Sequence, residues 1–412
     1  MNVVIVGGGV IGLMCAYRLR EAGYEVTVID QTKGTDNCSF GNAGYIAPSH
    51  IIPLASPGVV AQGLRWMLSS TSPFYIKPRL SGSLIRWGWN FFRNATEQKV
   101  RENAPHLYNI SVLSRELTIR MDRELDHGFE LETRGCFMLY NTPEAQKAES
   151  RLAEEARKFG MEVPVLSADE VRRMEPGISS GILGGVYFPV DCHINPPKMM
   201  NTLRAACSRM GVDFGYGQCA ENFSFTGKKI TAVQTDNQSF SCDHLVLAGG
   251  SWLEGLGAKL GLSLPVQPGK GYSITYKGLD SGLKYPAILV DERVAISPFS
   301  DGLRIGGTME LGGLNHEVNM KRVAPIVHAA NLFYPGLNLR VPEPKDVWAG
   351  LRPCTPDGLP YIGPSPIHDN VTIAGGHAMV GISLAAATGY LIRQIISGEK
   401  TEIPMDAFRV NR

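Results

Sequence analysis

Residues 3–12 read VVIVGGGVIG, a β-branched run that leads directly into the glycine spacing GxGxxG. A short strand followed by this spacing is typical of the strand-to-helix turn that binds the phosphates of a dinucleotide. In this interpretation Gly7 permits the tight turn, Gly9 lets the backbone approach a pyrophosphate, and Gly12 lets the helix pack closely on the strand. The free N–H groups at the start of that helix favour a negatively charged ligand.

An acidic residue stands where such a site needs one. Asp30 ends the next apolar run, residues 26–29, and Gln31 follows it. An acid about 20 residues after the glycines accepts hydrogen bonds from the adenosine ribose hydroxyls. Gly23 supplies the stop of the intervening helix. The sequence therefore predicts a dinucleotide site, with a glycine-rich turn that binds no ligand as the alternative.

Composition and charge narrow the class of protein. The chain has 412 residues, of which 44% are hydrophobic, which suggests two or three domains with sizeable cores. Lys and Arg number 40 against 39 Asp and Glu, a formal net charge of +1. Since no block of like charge is long enough to bind a polyanion, we expect no nucleic-acid partner.

The cysteine pattern and the N-terminus bear on location. The 8 cysteines show neither CxxC nor His/Cys ligand spacing, so we expect reduced thiols and no metal site. Removal of the first 20 or so residues as a signal peptide would delete the glycine loop, so we expect a cytoplasmic protein. The uncharged stretches 39–64 and 371–392 are interrupted by prolines or glycines, so neither predicts a transmembrane helix.

Strand and helix patterns that are distant in sequence can share one sheet. The N-terminal βαβ unit, the strand ending at residues 249–250 and the C-terminal strand-turn-helix can complete a parallel sheet. The predicted fold is α/β (α+β overall), with a Rossmann-like nucleotide domain of discontinuous chain and a second substrate domain on a mainly antiparallel sheet with helices. The predicted nucleotide domain comprises 1–50, 194–262 and 345–412. The substrate or cap domain comprises 51–193 and 263–344.

Two segments outside the nucleotide motif stand out. Apolar residues at helical spacing predict a long amphipathic helix over 105–127. Residues 65–93 interleave aromatic and basic side chains, which is typical both of helices packed on a core or lid and of segments that contact a membrane surface. Both interpretations stay open.

Several further motifs resemble the D-amino acid oxidase superfamily of flavoenzymes, most closely its D-amino acid dehydrogenase branch. Besides the opening glycines and Asp30, they are SFGNAG at 39–44, LAGGSW at 247–252, GKGYS at 269–273, GLRP at 350–353 with TPDG at 355–358, and GGH at 375–377. The resemblance covers essentially the whole chain. It implies bound FAD and oxidation of a D-amino acid by hydride transfer from Cα to flavin N5. The imino acid then hydrolyses to a 2-oxo acid and ammonia.

The resemblance also implies roles for individual residues. Arg352 is expected to grip the substrate carboxylate, because a guanidinium offers two parallel charge-assisted hydrogen bonds. The alternative is a surface arginine paired with Asp357. Tyr272 and Lys270 are candidates for lining the site, against strand packing and solvated charge. His377 is expected to contact the flavin or to be structural.

Residues from many parts of the sequence would bind the cofactor. The N–H groups at the start of the last helix would point at the flavin's pyrimidine edge. The expected cofactor-binding residues are Gly7, Gly9, Val10, Ile11, Gly12, Asp30, Gln31, Ser39, Asn42, Ala43, Gly44, Gly249, Gly250, Trp252, Gly350, Arg352, Gly376, His377, Met379, Val380 and Gly381. Sarcosine oxidases attach FAD through a cysteine at the position aligned with Gly350, so noncovalent binding is expected, with Cys354 as the alternative attachment point.

The electron acceptor and the substrate class stay open. The 65–93 segment matches insertions of the dehydrogenase branch and suggests a quinone or other respiratory acceptor, with peripheral contact at the cytoplasmic face of the inner membrane. A D-proline or hydroxyproline dehydrogenase is one alternative, and an O₂-using glycine or secondary-amine oxidase is another. The glycine oxidase alternative is weakened because Met379 and Val380 stand where those enzymes carry a second arginine. A non-enzymatic flavin- or NAD-binding protein is a further alternative, and the oligomeric state is left undetermined.

Overall fold

The computed structural model describes residues 1–53, 55–57, 74–77, 79 and 81–412. Within these residues the helices are α1 Val10–Glu21, α2 Gly82–Asn94, α3 Glu97–Glu124, α4 Pro143–Lys158, α5 Ala168–Met174, α6 Pro196–Arg209, α7 Leu253–Lys259, α8 Met320–Phe333 and α9 Gly381–Ile396. The strands are β1 Asn2–Val6, β2 Glu25–Asp30, β3 Tyr45–Ile46, β4 Phe74–Ile76, β5 Cys136–Tyr140, β6 Val165–Ser167, β7 Gly184–Phe188, β8 Cys192–His193, β9 Asp213–Tyr216, β10 Ala220–Thr226, β11 Lys229–Thr235, β12 Ser239–Ser241, β13 His244–Leu247, β14 Gln267–Lys277, β15 Ala287–Leu289, β16 Val294–Phe299, β17 Gly302–Leu311, β18 Val347–Cys354, β19 Tyr361–Pro364 and β20 Val371–Gly375.

The first sheet contains the predicted Rossmann-like core. Its strand order is β19-β20-β13-β1-β2-β9, and all neighbouring pairs are parallel except β19 with β20. Four residues of β1 are buried because both faces of the strand are covered, one by helices that include α1 and α9 and the other by the antiparallel sheet β10-β11-β12. From β1 the chain continues to β2 and then β9 on one side, and it later returns to β13 and β20 on the other side of β1. This places a topological switch point, where α/β sheets bind ligands, at the carboxyl end of β1.

The second sheet lies over that end. Its order is β18-β14-β17-β16-β15-β5-β7-β6, with β4 pairing with β17, and its pairs are antiparallel except β15 with β5 and β17 with β4. Helix α8 packs against one face through an apolar cluster that includes Ile274, Ile305 and Ile326. The opposite face is turned toward the first sheet. The mixed α/β fold class predicted from the sequence is thus confirmed.

Two segments pack in a different domain from the one that the sequence predicts. Strand β18 belongs to the second sheet because its residues pair with β14, whereas the sequence predicts 345–412 in the nucleotide domain. Helix α3 was assigned to the cap, but its apolar face, with Leu107, Ile110 and Leu117, joins the core that contains β1 and α9. This helix begins at Glu97, not at residue 105, because the Thr96 side chain caps it and Pro105 is accommodated inside.

In the described part of the chain, no helix is long and apolar enough to cross a membrane. The segment 65–93 is described only from Phe74 onward, with gaps at 78 and 80, so its first residues lie outside the described structure.

Candidate active site

A cavity of about 1320 Å³ lies between the two sheets. It is lined at one end by the carboxyl ends of β1, β2, β13 and β20, and at the other by strands of the second sheet. Single-ligand pockets usually measure about 300–1,000 Å³. The cavity therefore has room for a ligand larger than a typical single small molecule.

The three glycines of the opening motif meet different surroundings. A Cβ on Gly7, whose φ is +116°, would lie 2.3 Å from the carbonyl oxygen of Ala248, and a Cβ on Gly12 would lie 1.8 Å from that of Gly7. A Cβ on Gly9 would meet only the Ser39 hydroxyl, at 3.5 Å. Gly7 and Gly12 are thus required by the protein's own packing. Gly9 borders the cavity and leaves room for a ligand to approach the backbone.

Asp30 fixes the turn and faces the cavity. Its carboxylate accepts hydrogen bonds from the backbone N–H of Gly8 at 2.5 Å and of Thr32 at 2.7 Å. Asp30 and Gln31 both line the cavity. Because a carboxylate has about four lone-pair sites, Asp30 retains acceptor capacity for ligand hydroxyls.

Two helices that lack a capping side chain at the N-cap residue point their N-termini at this cavity. Among the described helices of twelve residues or more, five have an N-cap side chain that accepts a hydrogen bond from a backbone N–H, namely Ser81, Thr96, Thr142, Asn195 and Asn319. The exceptions are α1, with Gly9 at the N-cap, and α9, with Val380, and neither has an acidic residue in its first turn. The first residues of both helices line the cavity. A helix N-terminus with no N-cap side chain and no acidic residue in its first turn suits an anionic ligand.

The loop over residues 39–44 is fixed between the two sheets. The Ser39 hydroxyl accepts from the Val10 N–H at 3.0 Å. On the other side, the buried guanidinium of Arg304 donates to the carbonyls of Phe40 at 2.9 Å and Asn42 at 2.6 Å. Burial lowers the pKa of Arg304 to about 10, so it remains charged near neutral pH. Arg304 thus holds a predicted cofactor loop rigidly along the cavity.

Arg352 lies across strand β14 inside the cavity. One of its Nη atoms donates to the carbonyl of Thr308 at 2.6 Å, and its guanidinium covers Gly271, where a Cβ would lie within 2.4 Å of it. Burial lowers its pKa. In the described residues no carboxylate lies within ion-pair distance of it, and Asp357 instead pairs with Arg412 at 2.6 Å. The surface-pair alternative for Arg352 is therefore wrong, and its remaining donors are available to a ligand anion.

These features fit FAD. The open space at Gly9, the two helix N-termini without an N-cap side chain and the acceptor capacity of Asp30 match the pyrophosphate, the flavin and the ribose of that molecule. A family model described as DAO, FAD dependent oxidoreductase, matches residues 2–395.

The chain belongs to this family of FAD-dependent oxidoreductases. FAD is accordingly its cofactor. The chain is 32% identical to the D-amino acid dehydrogenase of Vibrio vulnificus strain CMCP6, over 99% of each chain. It is also 32% identical to the D-amino acid dehydrogenase of Neisseria meningitidis strain FAM18, over 100% of this chain and 99% of that one.

Solved structures share the fold. Glycine oxidase from Geobacillus kaustophilus superposes with a TM-score of 0.80 at 24% identity, covering 100% of this chain and 98% of the other. L-proline dehydrogenase from P. horikoshii gives 0.78 at 19% identity, covering 100% and 97%. At these identities the likeness establishes the fold alone.

The structure brings most of the predicted cofactor residues to this one cavity. Those that line it are Gly7, Gly9, Val10, Ile11, Asp30, Gln31, Ser39, Asn42, Ala43, Gly249, Gly250, Trp252, Gly350, Arg352, His377, Met379, Val380 and Gly381. Gly12, Gly44 and Gly376 lie outside the lining. A Cβ on Gly44 would lie 2.1 Å from the Ile194 carbonyl, and one on Gly376 would lie 2.5 Å from Thr355, so these glycines serve close packing.

The other predicted catalytic residues are engaged within the protein. His377 lines the cavity, but its Nε2 bonds the Thr388 hydroxyl at 2.9 Å, and burial lowers its pKa to about 3. Tyr272 lines the cavity, while its hydroxyl donates to Glu310 at 3.3 Å on the far face of the sheet. Lys270 is absent from the lining. It donates to Asn315 at 2.7 Å, away from the FAD site.

Sequence reasoning missed two residues that shape the site. Trp348 lines the cavity, and its ring fills the space beside both Gly41 and Gly350, where a Cβ would lie 2.0 Å and 1.7 Å from it. The sequence did hold a signal for Trp348. Gly350 follows it by two residues and so lies on the same face of the strand, where a glycine leaves room for a large neighbouring ring. Arg304 had no such signal, because its partners on the 39–44 loop are more than 250 residues away.

Proposed function

We propose that this protein is a dehydrogenase that oxidises D-amino acids at Cα with noncovalently bound FAD and passes the electrons to a quinone. The observation that carries the proposal is Arg352, a guanidinium in the FAD cavity that has free donors and no carboxylate partner among the described residues. Relatives named D-amino acid dehydrogenase match over full length and support the substrate class.

The side chains of the cavity orient the substrate. Two parallel hydrogen bonds from Arg352 to the substrate carboxylate would fix the amino acid in one plane, which presents its Cα–H to the cofactor. FAD bound in the cavity would supply the acceptor for the hydride that leaves Cα. The uncapped N-terminus of α9 would favour the negative charge that reduction places on the ring. Water then hydrolyses the released imino acid to a 2-oxo acid and ammonia.

The protein need not supply a base. The neutral amine's lone pair drives loss of hydride from Cα, so only the uncharged amine must bind. His377 is held neutral by burial and bonded to Thr388, and the Tyr272 hydroxyl points to Glu310. Neither residue is positioned to take the amine proton. The proposed roles of this end of the cavity are orientation and exclusion of water.

Noncovalent attachment is supported by the cysteines. Cys354 is fully buried and does not line the cavity, and its Sγ contacts the Arg352 carbonyl instead. The Cys38 Sγ, which does line the cavity, accepts from the Leu351 N–H at 3.3 Å. Precipitation with acid should therefore leave a colourless pellet, and yellow colour in the pellet would contradict this part of the proposal.

Product analysis tests the reaction. Purified holoenzyme with a D-amino acid and a soluble quinone analogue should form the 2-oxo acid and ammonia in equal amounts. The matched L-amino acid should give neither. Equal rates with both enantiomers, or turnover with O₂ as fast as with the quinone analogue, would contradict the proposal and favour an oxidase.

Helix α2 supports an acceptor in the membrane. Its Trp87 and Phe91 are buried, and the Trp87 indole donates to the Cys354 carbonyl at 2.8 Å. On another face Ile85, Trp89 and Phe92 are 67%, 63% and 59% exposed. An anchored helix with an exposed apolar face suits insertion into the lipid boundary, where quinones reside.

Sedimentation with liposomes tests this contact. The Arg86 and Arg93 side chains are exposed on the same helix and would attract anionic lipid. The protein should sediment with anionic vesicles, and the triple variant Ile85→Ser/Trp89→Ser/Phe92→Ser should remain in the supernatant. A control with Leu314→Ser and Val341→Ser, which are exposed elsewhere, should behave as the unmodified protein does. Equal sedimentation of both variants would contradict the assignment of this face.

A further inference from the structure

The FAD cavity continues well beyond Arg352 across the second sheet. Strand pairing places Gly306 opposite Ala295, Ala295 opposite Ile288, and Ile288 opposite Met138. Directly paired residues project from the same face of a sheet. These four residues therefore form a row across β17, β16, β15 and β5, which we call the trough floor. All four line the cavity.

The trough floor begins beside the expected position of the substrate carboxylate. The Arg352 guanidinium covers Gly271 on β14 and bonds Thr308 on β17, the strand that also carries Gly306. Neighbouring strands lie about 4.8 Å apart, so the floor runs about 14 Å from β17 to β5. An extended amino acid side chain fits within that length. The floor carries its smallest side chains, Gly306 and Ala295, at the end next to Arg352, and larger apolar ones farther away.

Helix α4 forms the facing wall. Its Ala148, Glu149 and Leu152 line the same cavity, and Leu152 packs on the cluster that contains Met138. Glu149 stands at the far end, where one carboxyl oxygen is buried without a hydrogen-bond partner. Between Arg352 and Glu149 the side chains of the trough floor and of Ala148 and Leu152 are apolar, while the polar side chains of Tyr45, His50 and Arg293 line other parts of the cavity. A substrate group that lies against the floor and this wall gains most if it is apolar, since an unpaired polar group there would lose its hydrogen bonds to water.

We infer that the trough is the subsite for the substrate's side chain and selects D-amino acids with long apolar side chains over D-alanine. This inference rests on the proposed function, which places the carboxylate on Arg352. Each methylene buried against Ile288, Met138 and Leu152 adds to affinity. The methyl group of D-alanine is too short to contact most of these apolar side chains. D-Phenylalanine and D-methionine should therefore have lower KM values than D-alanine.

A substitution that fills the trough tests the inference. Ala295→Leu places a branched side chain beside Gly306, so it should raise KM for D-phenylalanine at least about 10-fold more than KM for D-alanine. Ile288→Ala, which removes an apolar contact without adding bulk, should shift the same ratio in the same direction and covers the case in which Ala295→Leu fails to fold. The control Ala258→Leu changes an exposed alanine of α7 outside the cavity and should leave the ratio unaltered.

Binding of unreactive carboxylates gives a readout independent of turnover. In the unmodified holoenzyme 3-phenylpropanoate should bind at least 10-fold more tightly than propanoate by calorimetric titration, and Ala295→Leu should abolish the difference. Equal binding of the two acids, or a preference for D-alanine over D-phenylalanine, would overturn the trough assignment while leaving the proposed function intact. If the carboxylates bind but no D-amino acid is oxidised, the proposed function itself fails.

Discussion

The two ends of the cavity recognise their ligands by different means. At the cofactor end the main chain faces the ligand, with the open backbone at Gly9 and the N-termini of α1 and α9, whose N-cap residues provide no capping side chain. At the substrate end side chains do so, chiefly Arg352, while the buried Arg304 holds the 39–44 loop between the two ends. A backbone site is encoded by contiguous glycines. A side-chain site is assembled across strands, so substitutions at the two ends should have separable effects.

The largest expected difference is between alanine substitutions at two glycines of the same motif, one of which should prevent folding and the other weaken FAD binding. Gly12→Ala would place a Cβ 1.8 Å from the Gly7 carbonyl, so the variant should fail to give folded protein. Gly9→Ala has no clash closer than 3.5 Å and should fold, yet bind FAD at least 10-fold more weakly because its methyl group borders the cavity. FAD titration and thermal unfolding of the FAD-free proteins measure both quantities. Similar behaviour of the two variants would remove the distinction between packing and ligand-facing glycines.

Arg352→Ala should affect the substrate end alone. Hydrogen bonds to charged groups contribute about 1.5–3 kcal/mol each, so loss of a bidentate pair should lower kcat/KM about 100-fold or more. FAD affinity should change by less than about 3-fold. Steady-state kinetics beside FAD titration make the comparison, with Arg352→Lys expected to recover part of the loss. Near-normal turnover of Arg352→Ala at low substrate concentration would show that the carboxylate binds elsewhere.

Arg304→Met should affect ligand binding at both ends of the cavity, FAD more than substrate. The substitution keeps an apolar stem but removes the hydrogen bonds to the Phe40 and Asn42 carbonyls. We expect FAD to bind about 10-fold more weakly, because the 39–44 loop loses its anchor, and the KM for substrate to change less. Thr275→Val, which removes a third partner of Arg304 without freeing the loop, is the matched control. An unchanged FAD affinity in Arg304→Met would mean that the loop is held by its other contacts.

A last expected effect lies outside both ends of the cavity and concerns stability and pH. Asp191 is buried and accepts hydrogen bonds from the Ser49 hydroxyl at 2.6 Å and N–H at 3.1 Å, and burial raises its pKa from 3.8 to about 7. The folded protein therefore binds a proton here that the unfolded chain releases between about pH 4 and 7. The free energy of unfolding should fall as pH rises through that window. Urea unfolding should show a flatter profile for Asp191→Asn, and an equal slope in both proteins would exclude this contribution.

What could be predicted from the sequence follows the same division. The first sheet and the glycine turn depend on local patterns, namely a buried strand, the GxGxxG spacing and an acidic residue. The structure contains these elements at the positions that the sequence predicts. Trp348 and the trough floor depend on register between strands far apart in the chain, which a single sequence does not display. Lys270 shows that a residue within a recognised motif can still point away from the site. It lies in a motif segment, but the strand alternation turns its side chain toward Asn315, away from the cavity.

The most direct test of the account is an anaerobic titration of the purified protein with D-phenylalanine, followed by flavin absorbance. We predict that the protein carries oxidised flavin, that D-phenylalanine bleaches it, and that neither L-phenylalanine nor the Arg352→Ala variant at the same concentration gives bleaching. A protein that binds no flavin, or whose flavin is bleached equally with and without the Arg352 guanidinium, would contradict the claim that this cavity holds FAD beside an amino acid fixed by Arg352.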